Sequence, residues 1–202
     1  MRLRGRSFAW GERTYLMAIV NVTPDSFSGD GRTQIDAAID YAVRQWNAGA
    51  DMLDIGGEST RPGHEPVDEA TELARVVPVI AGVRERLPNA IISIDTYKAR
   101  VVRDAHAAGA DMINSVWGAP DDLLKSAADL EMPVAVMHNQ RGTHYDGDVV
   151  DAVLGYLRDC AERALLCGIG PERIMLDPGI GFGKGPNHNI RLLHSLDRVC
   201  EL

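Results

Sequence analysis

One stretch of this sequence returns almost unchanged further along the chain. Gly49-Ala-Asp-Met-Leu-Asp54 is followed 60 residues later by Gly109-Ala-Asp-Met-Ile-Asn114. One β-strand, one helix and their connections take about 30 residues, so this spacing corresponds to two such units. This repeated segment therefore predicts an architecture of repeating strand and helix units in this chain of 202 residues.

Short apolar segments alternate with amphipathic stretches along the chain. The apolar segments predict buried strands, and apolar residues at helical spacing predict helices between them. The predicted strands lie at 16–22, 52–55, 91–94, 112–114, 134–137 and 174–176, and the predicted helices lie near 35–46, 68–86, 98–108, 121–130, 149–167 and 187–199. Strands that are apolar throughout are buried on both faces, which indicates a parallel sheet covered by helices. A doubly wound sheet and a (β/α) barrel both fit.

Polar residues at or just after the end of each predicted strand favour the barrel. They include Asn21, Asp54, Asp95, Asn114, His138 and Asp177. A barrel gathers ligand groups from all of its strand ends around one mouth, whereas a doubly wound sheet gathers them mainly at one switch point. We therefore expect an α/β fold of the TIM (β/α)8-type barrel, as a single domain over residues 1–202. A full barrel takes about 250 residues. We expect about six βα units here, with the C-terminal units absent and the edges of the first and sixth strands exposed.

Charge and composition narrow the class of function. The chain has 21 Lys and Arg against 29 Asp and Glu, a net charge of −8, which argues against a nucleic-acid partner. Three cysteines without a C-x-x-C pair predict neither a disulfide framework nor a zinc site, and the six histidines form no metal signature. No segment has the pattern of a signal peptide or of a membrane span. We expect a cytoplasmic protein with no membrane partner.

Three strand-end residues suit a flat, amide-rich heterocycle such as a pterin. Asp95 and Asp177 each follow a buried strand, and a carboxylate accepts the two parallel N–H bonds that a 2-aminopyrimidinone edge offers. Asn114 adds a donor and an acceptor. The alternative is that these residues only cap the helices that follow. Their occurrence on three different strands favours the binding site.

Three loops suggest contacts with an anion and with an aromatic ligand. Gly56–Gly63 combines glycines, hydroxyls and an arginine, which suits a phosphate or pyrophosphate, although ordinary surface loops have a similar composition. The segment 177–185 fits neither the Walker A nor the dinucleotide-binding pattern, and its Phe182 would border an aromatic substrate. The first loop, with Phe27, is typical of a segment that closes over a substrate.

These segments together resemble the dihydropteroate synthase family, which joins a pterin pyrophosphate to para-aminobenzoate in folate biosynthesis. The resemblance covers nearly the whole chain. It rests on Asn21-Val-Thr-Pro-Asp-Ser-Phe-Ser28, Asp54-Ile-Gly-Gly-Glu-Ser-Thr-Arg-Pro-Gly63, Ser93-Ile-Asp-Thr-Tyr-Lys98 and Asp177-Pro-Gly-Ile-Gly-Phe-Gly-Lys184. The first two motifs are highly specific.

The resemblance implies a site, a cofactor and a mechanism. Mg²⁺ would be held by Asn21 together with the pyrophosphate. The implied ligand contacts are Thr60 and Arg61 for the pyrophosphate, Asp95, Asn114 and Asp177 for the pterin, and Phe27, Pro62 and Phe182 for the para-aminobenzoate. The implied reaction is dissociative, with a methylene cation on the pterin that the arylamine attacks, and it needs no protein nucleophile. A homodimer is also implied.

The chain departs from the family pattern at several points. Ser115 stands where the family usually has Asp, and Asn139 stands where Met often follows the histidine. No segment matches the Lys next to Ser, or the Arg-x-His pair, that the family's seventh and eighth strands supply. Two alternatives therefore stay open. One is a folate-dependent methyltransferase of the related pterin-binding barrels, and the other is a non-catalytic, truncated pterin-binding protein.

Overall fold

Strands and helices alternate through the chain in the computed structural model, which describes residues 1–23, 31–59 and 66–202. The strands are β1 (Arg2–Leu3), β2 (Arg6–Ser7), β3 (Met17–Asn21), β4 (Met52–Gly56), β5 (Ile92–Asp95), β6 (Met112–Ser115), β7 (Val134–Met137) and β8 (Ile174–Asp177). The helices are α1 (Gly31–Asn47), α2 (Glu69–Arg86), α3 (Ala99–Ala108), α4 (Asp121–Asp129), α5 (Val149–Leu166), α6 (Pro186–Leu193) and α7 (Leu196–Cys200). A short 3₁₀ turn at Pro171–Arg173 leads into β8.

Strands β3 to β8 form one six-stranded sheet in chain order. Each strand is parallel to the next, and neighbouring helices pack against one another outside the sheet. Within the described ranges β3 and β8 each pair with a single neighbour, so they form the two edges of the sheet. The predicted parallel α/β architecture of six strand and helix units is confirmed.

The two faces of the sheet differ in chemistry. Leu53, Ile55, Ile92 and Ile94 belong to the large apolar core that the strands share with helices α1 to α4. Successive side chains of a strand point to opposite faces, so Asp54, Ser93, Asp95 and Asn114 face away from the helices. The helix-facing positions hold the fold together by apolar burial, and the opposite face is left to polar side chains near the carboxyl ends of the strands.

An N-terminal hairpin closes the other end of the sheet. Leu3 and Phe8 pack against Met52, Ile91 and Met112, which lie at the starts of their strands. Sequence periodicity does not find this hairpin, because each of its strands has only two residues.

The hairpin is tied to the two aspartates of the repeated segment. Asp51 accepts hydrogen bonds from Arg6 at 2.5 Å and Arg13 at 2.6 Å, and Asp111 accepts from Arg4 at 2.6 Å. Each aspartate also accepts a backbone N–H from an adjacent strand region, that of Leu16 for Asp51 and that of Ile92 for Asp111. The repeat therefore places the same anchoring group at two strand starts.

The last predicted helix is wrong as a single element. Residues 187–199 fall in two helices, α6 and α7, that are separated at His194 and Ser195. Ser195 donates its N–H to the carbonyl of Leu192 and has φ of −120°, so the chain turns there. Apolar residues continue at helical spacing across the turn, which is why the pattern does not reveal it.

Two of the other helices begin at aspartate caps. Asp68 accepts the N–H of Thr71, and Asp148 accepts those of Val150 and Asp151. No helix in the described part of the chain is long and apolar enough to cross a membrane.

Candidate active site at the strand ends

Register places four of the strand-end residues in one row across the sheet. Asn21 pairs with Gly56, Gly56 with Asp95, and Asp95 with Asn114. A Cβ on Gly56 would lie 3.3 Å from the Cβ of Asp95 and 3.6 Å from Oδ1 of Asn21. The glycine therefore lets the Asn21 and Asp95 side chains converge above it, and the structure brings together Asn21, Asp95 and Asn114.

Asp54 lies deeper on the same face, two residues before Gly56. It is 4% exposed, and its Oδ2 accepts a hydrogen bond of 2.8 Å from Nδ2 of Asn114. Its Oδ1 is buried with no hydrogen-bond partner among the described residues. The hydroxyl of Ser93 is near, but outside normal hydrogen-bond geometry. Burial raises the pKa of Asp54, and the nearby Ser93 hydroxyl and Asn114 amide oppose that rise.

Asp95 lies on the same face of the sheet, and its side chain makes no hydrogen bond or ion pair with the described residues. Burial raises its pKa well above the ordinary value, and the negative charges of Asp54, Glu72 and Glu58 raise it further. The described residues offer its carboxylate no hydrogen bond. A ligand that brings N–H donors or positive charge would therefore be stabilised there.

Asp177 ends β8, three strands away from Asp95 in the sheet. The residue is exposed, and its Oδ1 accepts the N–H of Gly179 at 2.7 Å. No hydrogen bond joins it to Asp95 or Asn114 within the described residues. Asp177 thus shapes its own turn, while its position at a strand end remains compatible with the predicted pterin contact.

The loop after β8 is held by a buried lysine. Nζ of Lys184 lies 3.0 Å from Nδ1 of His138, 3.2 Å from the carbonyl oxygen of His138 and 2.8 Å from that of Phe182. Burial lowers the pKa of Lys184 to about 8, against the opposing effect of Asp177. Burial and the Lys184 charge lower the pKa of His138 to about 4. Phe182, predicted to border the para-aminobenzoate, is half-buried in this loop.

A second, half-buried lysine joins the segments on either side of residues 60–65. Nζ of Lys98 lies 2.6 Å from Oε2 of Glu58, 2.5 Å from Oε2 of Glu72 and 2.7 Å from the carbonyl oxygen of Val67. Burial lowers the pKa of Lys98, but the hydrogen bonds that Lys98 donates to Glu58 and Glu72, with the charges of these carboxylates, outweigh this and raise it overall. The Lys98 ammonium therefore links the end of β4, the start of α2 and the residues after β5.

Four of the predicted ligand residues, Phe27, Thr60, Arg61 and Pro62, lie outside the described residues. Sequence reasoning placed Asp54 and His138 among the polar strand ends but gave neither a ligand role, and it missed Lys98 and the contact between His138 and Lys184. The position of Asp54 could have been used as a prediction, because an acidic residue in the middle of an apolar strand needs a polar partner when it is buried.

The side-chain oxygens at the strand ends determine which kind of metal site the protein could form. Within residues 1–23, 31–59 and 66–202 no three His, Cys, Asp or Glu side chains are arranged to hold a metal ion. Mg²⁺ commonly keeps several waters and takes only one or two protein oxygens together with substrate phosphates. The amide oxygen of Asn21, beside the acidic residues, fits that kind of site.

A protein-family model and several related proteins match this chain along most of its length. The family model described as pterin binding enzyme matches residues 17–202. The dihydropteroate synthase of Clostridium beijerinckii is 43% identical over 205 residues, which cover 100% of this chain and 76% of that protein. The Bacillus subtilis dihydropteroate synthase is 41% identical, over 95% of this chain and 67% of its own length.

Solved structures agree with the sequence relatives. A Clostridium difficile dihydropteroate synthase crystallised in the presence of pteroic acid has a TM-score of 0.91 and 44% identity, over 96% of this chain and 75% of that one. The Xanthomonas albilineans dihydropteroate synthase with 4-aminobenzoic acid has a TM-score of 0.88 and 46% identity, over 95% and 70% of the two chains. The chain therefore belongs to the dihydropteroate synthase family of pterin-binding enzymes, with the α/β fold of its TIM-type barrels.

Proposed function

We propose that this chain is a transferase that condenses 6-hydroxymethyl-7,8-dihydropterin pyrophosphate with para-aminobenzoate, giving 7,8-dihydropteroate and pyrophosphate. The observation that carries the proposal is the row of Asn21, Asp95 and Asn114 at the strand ends. It occurs in a chain 43% identical to a dihydropteroate synthase along its whole length. The chemistry of the row suits the pterin half of this reaction.

The pterin contacts are assigned to Asp95, Asn114 and Asp177. A pterin carries an exocyclic amine and a ring N–H on one edge, and both are donors. Asp95 has no donor from the described residues, so its carboxylate can accept from that edge. The acidic surroundings that raise the pKa of Asp95 also favour a ligand that becomes positive.

The reaction exchanges one bond at the pterin methylene carbon. The bond from that carbon to the pyrophosphate oxygen breaks, and its electron pair leaves with pyrophosphate. The arylamine nitrogen then forms the new carbon–nitrogen bond and gives up a proton. Positive charge develops on the pterin between these events, and the fixed negative charge of Asp54 and Asp95 stabilises it. This chain needs no covalent nucleophile for such a path.

The remaining ligand contacts are proposals that rest on the family resemblance. Asn21 would hold Mg²⁺ through its amide oxygen, and the ion, when bound, neutralises charge on the leaving pyrophosphate. Thr60 and Arg61 would bind the pyrophosphate, because a hydroxyl and a guanidinium match phosphate oxygens. Phe27, Pro62 and Phe182 would border the ring of para-aminobenzoate.

Domain organisation, location and assembly belong to the same proposal. A single domain over residues 1–202 is supported by the arginines of the N-terminal segment, which bind Asp51 and Asp111 at strand starts far along the chain. The free thiols of Cys160, Cys167 and Cys200 suit a reducing cytoplasm. A homodimer, which the resemblance implies, remains a prediction.

A direct assay tests the proposed reaction. The purified protein is supplied with Mg²⁺, the pterin pyrophosphate and para-aminobenzoate, and 7,8-dihydropteroate is measured by mass spectrometry. Asp95→Asn should lower kcat/KM by about 100-fold, because it removes a negative charge that binds the pterin N–H edge and stabilises the positive charge that develops on the pterin. Asp40→Asn, on the exposed surface of α1, should leave the rate unchanged.

Two outcomes would overturn the proposal. One is folded protein that binds both substrates yet forms no dihydropteroate. The other is transfer of a methyl group from a reduced folate to a corrinoid protein, which would assign the chain to the methyltransferase alternative.

A further inference from the structure

Asn114 is held in one orientation by a residue that is not among the predicted ligands. Its Nδ2 donates to Oδ2 of Asp54 at 2.8 Å. A carboxylate without a proton can only accept, so the nitrogen of the amide, and not its oxygen, must face Asp54. The contact therefore leaves the carbonyl oxygen of Asn114 pointing away from Asp54.

The other end of the amide is available to a ligand. Oδ1 of Asn114 accepts no hydrogen bond from the described residues, and the side chain is only half-buried. Asn114 is paired in register with Asp95, whose carboxylate likewise has no donor from the described residues. Two acceptors therefore stand side by side at the strand ends.

Asp54 can keep this role only as a carboxylate without a proton. Burial raises the pKa of both Asp54 and Asp95, and the negative charges of Asp54, Glu72 and Glu58 raise that of Asp95 further. Asp54 has the Asn114 amide as donor and the Ser93 hydroxyl nearby, whereas Asp95 has neither. These two groups favour the ionised form of Asp54, so Asp54 stays the acceptor.

We propose that Asp54 is a positioning residue that makes the site select a 2-amino pteridine over its 2-oxo analogue, by holding Asn114 with its carbonyl oxygen toward the ligand. The inference rests on the proposed function and names the group that sets its substrate preference. An exocyclic amine donates to the carbonyl oxygen of Asn114. An oxo group at the same position would bring two acceptors together without a proton between them, which leaves both unpaired.

The test compares the affinities of 6-methylpterin and 6-methyllumazine, which differ in the amino or oxo group at position 2. Asp54→Asn keeps the size and shape of the side chain but can accept or donate, so it supports either orientation of Asn114. By calorimetry, the unaltered protein should prefer the pterin by about 100-fold. In Asp54→Asn this preference should fall by about tenfold or more.

Asp51→Asn is the matched control. It changes a buried aspartate near the same strand, at the far end of the sheet, and it should destabilise the protein without changing the preference. A preference that is unchanged in folded Asp54→Asn, or an equal loss of both affinities, would overturn the inference while leaving the proposed function in place. Unaltered protein that binds neither compound would instead contradict the proposed function.

A second measurement keeps the inference testable if Asp54→Asn does not fold. In ¹⁵N-labelled unaltered protein, one side-chain NH₂ proton of Asn114 should resonate downfield because of the carboxylate, and it should stay there when the pterin binds. The Asn114→Ser spectrum assigns the signal by its loss. A large displacement of that proton on saturation with pterin would mean that the NH₂ group faces the ligand, and the inference would be wrong.

Discussion

Nζ of Lys184 lies 3.0 Å from Nδ1 of His138, which makes a direct contact between two basic side chains that are both buried. The contact joins the loop after β8 to the end of β7. Lys184 can donate to Nδ1 only if that nitrogen carries no proton, so the imidazole must be neutral with its proton on Nε2. The low pKa of His138, about 4, agrees with that requirement.

Stability should therefore depend on pH through His138. The pKa of this side chain falls from 6.5 to about 4 in the folded protein, so between these values the unfolded chain binds a proton that the folded chain does not. Stability should fall by roughly 2–3 kcal/mol as pH decreases from 6.5 to 4.

Urea unfolding at a series of pH values measures this effect. His138→Gln can still accept from Lys184 but does not titrate, so its stability should change less across the same window. His106→Gln, on the exposed surface of α3, should follow the unaltered protein. Identical pH profiles for His138→Gln and the unaltered protein would contradict the neutral buried histidine.

The loop after β8 also depends on close backbone packing at Gly179. A Cβ there would lie 2.1 Å from the carbonyl oxygen of His138, and the residue has φ of +69°. Gly181 has φ of +88°, but a Cβ on it would meet nothing within 4 Å. Gly179→Ala should therefore destabilise the protein by more than about 3 kcal/mol, and Gly181→Ala by about 1 kcal/mol. Thermal unfolding separates the two, and equal losses would mean that the clash is relieved by movement of the loop.

Asp51 should contribute to stability against acid. Hydrogen bonding to Arg13, together with Leu16 N–H and Arg6, lowers its pKa to about 2 against the effect of burial. A lowered pKa stabilises the folded state above the ordinary value near 3.8, and that contribution is lost as pH falls toward 2.

Asp51→Asn should cost roughly 1–2 kcal/mol at pH 7, since the arginines are partly exposed and solvent screens them. The difference from the unaltered protein should narrow between pH 4 and pH 2. Asp40→Asn, which breaks an exposed pair with Arg86, should give no measurable change. Chemical denaturation at pH 7, 4 and 2 checks all three, and a difference that does not change with pH would rule out the paired carboxylate.

Lys98 should be required for the stability of the segments that it joins. Glu72 is 1% exposed and Lys98 is 12% exposed at the side chain, so Lys98→Met leaves two carboxylates near one another in a buried place. The expected loss is about 3–5 kcal/mol. Adding Glu72→Gln to Lys98→Met should recover part of it, because one buried charge is removed.

Chemical denaturation measures the Lys98 series. Arg103→Met is the control, since its ion pair with Asp129 is 3.9 Å long and exposed. Lys98→Met that is as stable as the unaltered protein would show that the two glutamates do not depend on the ammonium.

Local patterns in the sequence were sufficient for strands β3 to β8 and for most helices, but not for the two short strands of the N-terminal hairpin. The segments of β4 to β7 are mostly apolar because most of their residues are buried on both faces of the sheet. The strand ends Asn21, Asp95, Asn114 and Asp177 follow from the same alternation, since a parallel sheet gathers its carboxyl ends at one edge. The break between α6 and α7 did not follow, because the apolar spacing continues through it.

The sequence by itself determined the parallel α/β architecture, the six strand and helix units, and the row of polar strand ends, because each of these depends on residues close together in the chain. Only the tertiary structure decided which side chains meet. Asp54 and Asn114 end the two copies of the repeated segment and lie 60 residues apart, and His138 and Lys184 lie 46 apart. Hydrogen bonds of this kind depend on distances between side chains brought together by folding, and no pattern of neighbouring residues encodes such distances.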